Sequence, residues 1–390
     1  MKLVIIASRF PYPLEKGDKL RLFYQIKSLS KEFEIYLCSL TDIPIEKASY
    51  KALEKYCKEI HVFKIHGKKN AFKGLLNKKP FQVNYFYDRS VHKQMNVLVE
   101  RIAPDHIFYQ LLRTTEYSFN ARYSKSVDMM DCFSKGYKLR GFKEKGLRKR
   151  FYKAEAHRLI AYEDSIIDTF THKYIISKQD KNELLKRRKT EFHVLSNGID
   201  TEYFNPIKQK QKYDIVFVGN MGYEPNIYAV RYIIEELLPK FDDRATILIA
   251  GARPPAQLKA KANSRITISG WLEDIRDAYN ESKLFLAPIR DGIGQQNKIL
   301  EAMAMELPCV VSKEVAEGLD IPEVEKYLFI ADSKEEYIAY VKNILDQTVD
   351  TSQRIGLARG YVLDHRSWEA VNKKLTSTIS SIVSGGKSVV

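Results

Sequence analysis

Tyr213-Asp214-Ile215-Val216-Phe217-Val218-Gly219 is a short apolar run that ends in a glycine. A run of that length, closed by a turn residue, reads as a buried strand entering a loop. The same unit recurs on both sides of it. Toward the C-terminus, strands are expected at Thr246–Ala250, Ile266–Ile268, Leu284–Ala287, Cys309–Ser312 and Tyr327–Ile330, with helices between them. Toward the N-terminus, Leu3–Ala7, Glu34–Leu40, Ile60–Ile65, His106–Tyr109, Ser126–Asp131, Lys173–Ile176 and His193–Leu195 read alike. Between the first two lies a helical pattern, Lys19–Lys31, with Leu20, Phe23, Ile26 and Leu29 on one face. Strands alternating with helices argue for βαβ units and parallel sheets. The two series therefore predict an α/β chain of two doubly wound domains in tandem.

The turn-rich Ser196-Asn197-Gly198-Ile199-Asp200, followed by Pro206 and the polar Lys208–Lys212, marks the division. The expected domains are residues 1–205 and 206–365. A final segment, 366–390, holds a helix over Trp368–Val383 that is apolar at Val371, Leu375, Ile379 and Ile382 and is expected to pack back toward the first domain. A chain of 390 residues is long enough for each domain to bury its own core.

Charge is divided unequally. Residues 1–200 carry 40 Lys and Arg against 23 Asp and Glu, a net +17, whereas 201–390 carry 24 against 26. Such asymmetry points to an anionic partner for the first half: nucleic acid, a membrane surface or a phosphorylated molecule. A solvated Lys-rich surface is the other reading. Gly141–Asp168 reads as one long helix whose start carries Lys143, Lys145, Arg148, Lys149, Arg150 and Lys153. A basic amphipathic helix of this kind sits on an anionic bilayer, or is simply a solvated face. The four cysteines, Cys38, Cys57, Cys132 and Cys309, match neither a zinc site nor a disulfide framework, and free thiols in a reducing compartment are expected. The N-terminal apolar run is too short for a signal peptide, and no stretch has the length of a membrane span. The expected location is cytoplasmic, or peripheral on the inner face of the cell membrane.

Ligands of doubly wound sheets bind beyond the carboxyl ends of the strands. The loop after Leu284–Ala287 is the richest: Ala287-Pro288-Ile289-Arg290-Asp291-Gly292-Ile293-Gly294-Gln295-Gln296-Asn297-Lys298-Ile299-Leu300-Glu301. Free N–H groups where its helix starts, near Gln296 and Asn297, attract phosphate, and Gly292 and Gly294 let the backbone approach a ligand. Lys298 and Glu301, three apart, share a helix face. A cation there suits a diphosphate, and a carboxylate suits the vicinal hydroxyls of a ribose. A surface Lys–Glu pair on an ordinary helix is the bland alternative. Gly219-Asn220-Met221-Gly222 offers further amides, or is only a tight turn. In the first half, Glu15-Lys16-Gly17-Asp18-Lys19 occupies the matching place, with Asp18 also readable as a helix N-cap. Arg113 and Asp131 follow strands and face the same side if the topology holds; a structural role fits either as well. The eight histidines show no metal-ligand spacing, and no Walker, G-x-S-x-G or G-x-G-x-x-G pattern is present.

Gln296-Asn297-Lys298-Ile299-Leu300-Glu301-Ala302-Met303-Ala304, with Met305–Ser312 after it, resembles the donor-site signature of glycosyltransferase family 4. So do Ser196-Asn197-Gly198-Ile199-Asp200…Phe204-Asn205-Pro206 and Phe217-Val218-Gly219. Gly270-Trp271…Asp274-Ile275…Tyr279 resembles the family's nucleobase loop, and Arg9-Phe10-Pro11-Tyr12-Pro13…Lys16-Gly17-Asp18-Lys19 resembles a subgroup of sugar transferases tied to exopolysaccharide systems. The resemblance implies the GT-B fold, two Rossmann-like domains facing a cleft, and a retaining hexosyl transfer from a nucleoside-diphosphate sugar to a glycan or lipid-linked acceptor. It implies no metal and no other cofactor. Donor contacts fall to Gly17, Gly219, Asn220, Trp271, Gly294, Gln296, Asn297, Lys298 and Glu301, and the acceptor side to Asp18, Lys19, Arg113 and Asp131. The chain departs from the family pattern at Ile293, where the first glutamate of E-x7-E would fall, and at Asn220 and Asn226, in place of Arg and Lys. Lys298 and Arg290 would supply the missing charge and Asp291 a sugar-hydroxyl contact. An inactive sugar-nucleotide sensor and a nucleotide-sugar epimerase are the alternatives. No recognition helix or RNP-like motif supports a nucleic-acid partner, and none is expected.

Overall fold

The computed structural model describes residues 1–72, 77–290 and 296–385. The chain forms two compact units, Met1–Asn197 together with the chain from Val371 onward, and Gly198–Ala370.

The first unit holds seven strands: β1 (Lys2–Ala7), β2 (Glu34–Thr41), β3 (Glu59–Lys64), β4 (His106–Gln110), β5 (Ser124–Asp128), β6 (His172–Ile175) and β7 (His193–Val194). They form one parallel sheet in the order β3-β2-β1-β4-β5-β6-β7. Successive side chains of a strand point to opposite faces, and β1 shows it. Leu3, Ile5 and Ala7 pack with Leu22, Ile26 and Leu29 of the helix Gly17–Leu29 and with Leu375 and Ile379 of the last helix, Trp368–Gly385. Val4 and Ile6 pack on the other face with Met95 and Val99 of the helix Arg89–Ile102 and with Leu159. Helices thus cover both faces, which is why the strands read as continuous apolar runs. Asn372 of the last helix is fully buried and donates to Tyr24 O at 3.0 Å and Ser28 Oγ at 3.2 Å.

Two expectations are corrected here. The pattern read as one helix over 141–168 is two helices, Phe133–Lys143 and Gly146–Ile166, linked by Glu144 and Lys145. Gly146 takes φ +59°, a left-handed conformation that costs a glycine nothing and lets the chain reverse. β5 stops at Asp128 rather than Asp131. The buried Asp128 carboxylate accepts from Arg21 Nε and Gln25 Nε2, both at 2.6 Å, and from Met130 N at 3.0 Å. Met130, at φ +60°, turns the chain out of the strand direction.

The second unit carries β8 (Tyr213–Val218), β9 (Ile247–Ala250), β10 (Ile266–Gly270), β11 (Ser282–Ala287), β12 (Cys309–Ser312) and β13 (Phe329–Ala331). They form a parallel sheet in the order β10-β9-β8-β11-β12-β13. Its strands and the helices Glu224–Tyr232, Asn297–Ala304 and Lys334–Leu345 enclose a second core. The last of these helices opens with a capping box, Ser333 with Glu336, which satisfies donors at its first turn. All four cysteines are unpaired, three of them buried.

Candidate functional site

In each sheet the strand order reverses once, between β1 and β4 and between β8 and β11. Connections leave in opposite directions at such a point, which opens a crevice past the strand ends. In the second unit both loops singled out from sequence leave from there: Gly219 from β8, and Pro288-Ile289-Arg290 from β11.

The β8 exit is tightly built. Gly219 N donates to Ala250 O at 2.9 Å, continuing the ladder toward β9. Asn220 Oδ1 accepts from Gly222 N at 2.9 Å, and Asn220 O accepts from Asn226 Nδ2, also at 2.9 Å. A Cβ on Gly219 would stand 2.8 Å from Asn226 Nδ2 and 3.1 Å from Lys298 Nζ, so a side chain there would displace both. Gly251, at the end of β9, is at φ +134°, and a Cβ on it would lie 2.0 Å from Gly219 O. Only glycine admits that approach.

The helix Asn297–Ala304 supplies the charges. Gln296 precedes it without a side-chain cap, so the first-turn N–H groups keep no side-chain acceptor there. Asn297 Oδ1 is buried with no hydrogen bond among the described residues. Lys298 Nζ donates to Asn226 Oδ1 at 2.5 Å and sits 5.0 Å over the Phe217 ring. Burial pulls its pKa down to about 8, against the opposing pull of Glu301. Glu301 accepts from Tyr279 Oη at 2.8 Å, and burial pushes its carboxyl up while Tyr279 and Lys298 draw it down. Gly219, Lys298 and Glu301 therefore share one group with Asn226, Tyr279 and Phe217.

Other expected donor residues stand elsewhere. Arg290 is exposed, with its guanidinium 5.3 Å over the Tyr232 ring. Trp271 follows β10, the edge strand two places from β8, and is 72% exposed. In the same loop Asp274 is engaged by Arg276 Nε at 2.9 Å and Tyr203 Oη at 2.8 Å. Asp291 and Gly294, with Gly292 and Ile293, lie outside the described residues.

In the first unit Gly17 opens its helix with no side-chain cap at Lys16. Asp18 is not an N-cap, as one reading had it; it lies inside the first turn and accepts from Arg9 Nη1 at 2.7 Å. Arg113 Nη1 is 3.6 Å from the same Asp18 oxygen, while Arg113 Nε donates to Gln82 at 2.9 Å. The Arg113 guanidinium packs between Phe86 and Phe133, and burial lowers its pKa to about 10. Asp18 and Arg113 thus come together; Lys19 turns to Tyr12 O at 3.4 Å, and Asp131 is exposed after the Met130 turn. Sequence reasoning missed the Arg21–Asp128–Gln25 group, and Arg21 Nη1 also reaches Ser196 O and Asn197 Oδ1. Among the described residues no group of three or more His, Cys, Asp or Glu side chains is placed to hold a metal.

Residues 212–347 match the family described as Glycosyl transferases group 1. The "Uncharacterized 44.6 kDa protein in cps region" of Klebsiella pneumoniae is 22% identical over 385 residues, 88% of this chain and 92% of that protein. The crystal structure of Anabaena Alr3699/HepE in complex with UDP aligns with a TM-score of 0.65 at 13% identity, over 98% of this chain and all of that one. That of TarM aligns with the same TM-score at 12% identity, over 98% and 99%. The second unit thus carries a match to the Glycosyl transferases group 1 family, and the chain as a whole has the fold of GT-B glycosyltransferase structures, two Rossmann-like domains on parallel sheets.

Proposed function

We propose that this protein is a retaining glycosyltransferase of the family 4 kind, which moves a hexosyl group from a nucleoside-diphosphate sugar to a glycan or lipid-linked acceptor. The observation that carries the reading is the Lys298–Glu301 pair on the helix that starts at the β8/β11 reversal. The Lys298 ammonium, backed by the first-turn amides, faces the diphosphate. There it stabilises the charge that grows as the sugar–phosphate bond breaks, without a resident metal. Glu301, held by Tyr279, accepts from the ribose hydroxyls. Asp291 is assigned a sugar hydroxyl, and Asp18 and Arg113, which the first unit brings together, are assigned to the acceptor. The UDP bound in the structural relative supports a nucleotide donor, and the cps-region relative supports a place in cell-surface polysaccharide synthesis.

A thermal-shift screen against UDP, GDP, ADP and their sugars tests it, with Glu301→Ala alongside. One nucleotide is expected to raise the midpoint by mass action, and the variant to lose the shift. No shift with any of them overturns the donor site. A shift without transfer to any acceptor leaves a sensor instead.

A further inference from the structure

We infer that the hairpin formed by the helices Phe133–Lys143 and Gly146–Ile166 is a docking tip that inserts into the surface of an anionic lipid bilayer. The root of the hairpin is fixed: Leu159 and Tyr162 are buried in the core of the first unit. Its two arms lie close together, with Gly141 facing Tyr152, where a Cβ would sit 3.4 Å away, and the Tyr137 and Tyr152 rings 5.6 Å apart. The far end is different. Phe142 and Leu147, either side of the Glu144-Lys145 link, are 76% and 81% exposed. One turn back on each arm, Leu139 and Phe151 are also exposed. Single exposed apolar side chains are ordinary, but four so close along the chain, two on each side of one short link, mark a surface that something covers.

Charge identifies the partner. Residues 138–153 contain eight Lys and Arg against one carboxylate, Glu144. Lys143, Lys145, Arg148, Lys149, Arg150 and Lys153 are all exposed around the apolar end. A bilayer surface satisfies both features at once: the acyl boundary takes the Phe and Leu side chains, and anionic headgroups take the cations. A nucleic-acid duplex, bound through its phosphates, would use the cations and leave Phe142 and Leu147 in water. The broken helix also fixes the mode of contact, a tip pushed in end-on rather than a helix lying in the plane. No helix among the described residues is long and apolar enough to cross a membrane.

Vesicle flotation of the full chain tests this, comparing neutral phosphatidylcholine with vesicles of about 30% phosphatidylglycerol. The protein is expected to float only with the anionic vesicles, and less at raised salt. The pair Phe142→Ser and Leu147→Ser is expected to weaken flotation by at least about tenfold. The triple change Lys143→Gln, Lys145→Gln and Lys149→Gln is expected to weaken it as well. All these side chains are exposed, so melting temperature stays at the wild-type value. Absence of flotation with anionic vesicles overturns the inference, as does flotation that the serine pair leaves unchanged. Binding to a single-stranded oligonucleotide without flotation, lost only in the glutamine variant, assigns the cations to nucleic acid and overturns it too. Nucleotide binding by the second unit is read separately in each variant, so this inference and the donor-site reading fail independently.

Discussion

Lys298 shows how a single environment sets a site's chemistry. Its pKa of about 8 against an ordinary 10.5 means that the ammonium is full below pH 8 and is lost above it. A diphosphate binds the protonated form. Affinity for the nucleotide identified by the screen is therefore expected to be level from about pH 7, where its phosphate is ionised, to about 8, and to fall by up to roughly tenfold per pH unit above that. Calorimetric titrations across that range check this, and Lys298→Met is expected to bind weakly with no break near pH 8. Folding stability without nucleotide runs the other way. The unfolded lysine keeps its proton to about 10.5, so the cost of burying the charge is full below pH 8 and fades between 8 and 10.5. Lys298 and Glu301 were legible in the sequence because a helix brings residues three apart together. Asn226 and Tyr279 stood in motifs the sequence offered, but that they hold Lys298 and Glu301 was not legible: they lie 72 and 22 residues away along the chain, and only the sheet brings them in. The Arg21–Asp128 pair, 107 residues apart, was hidden for the same reason.

Elements were more legible than their partners. Every strand read from the sequence is present, because buried parallel strands are short apolar runs between turns. What the pattern did not carry was backbone sign. Gly251 follows an expected strand in a stretch that reads as any Gly- and Pro-rich turn, yet its φ of +134° lets the ends of β8 and β9 come together. Gly251→Ala would press a methyl against Gly219 O and shift the loop that faces Lys298. It is expected to cost about 1–3 kcal/mol or more and to weaken nucleotide binding at least about tenfold. Gly356→Ala is the control: it lies in the helix Ser352–Tyr361 with nothing within 4 Å of an added Cβ, and is expected to gain about 0.5–1 kcal/mol. Denaturation and binding measured on both separate site strain from a general glycine effect. Gly146 misled in the same manner, since a helical period cannot show that one residue within it is left-handed.

For the whole molecule, the two sheets were readable from the alternation of elements, and the charge of the first half from simple counting. Periodicity marks Val371, Leu375 and Ile379 as one face, but it names a face and not the core that receives it. That core is the one built on Leu3, Ile5 and Leu22. Leu375 is fully buried there, so Leu375→Ala is expected to cost about 2–5 kcal/mol. Hydrogen exchange is expected to quicken in β1, β2 and β4 while β8 and β11 keep their protection, and equal loss in both sheets would refute that division. The same arrangement governs the order in which the protein is finished on the ribosome. The second unit, Gly198–Ala370, is one unbroken stretch and can close as soon as it emerges. The first unit lacks Leu375 and Ile379 until the whole second unit has been made. The part of its sheet face that Leu375 and Ile379 cover therefore stays open to water while Gly198–Ala370 is being made.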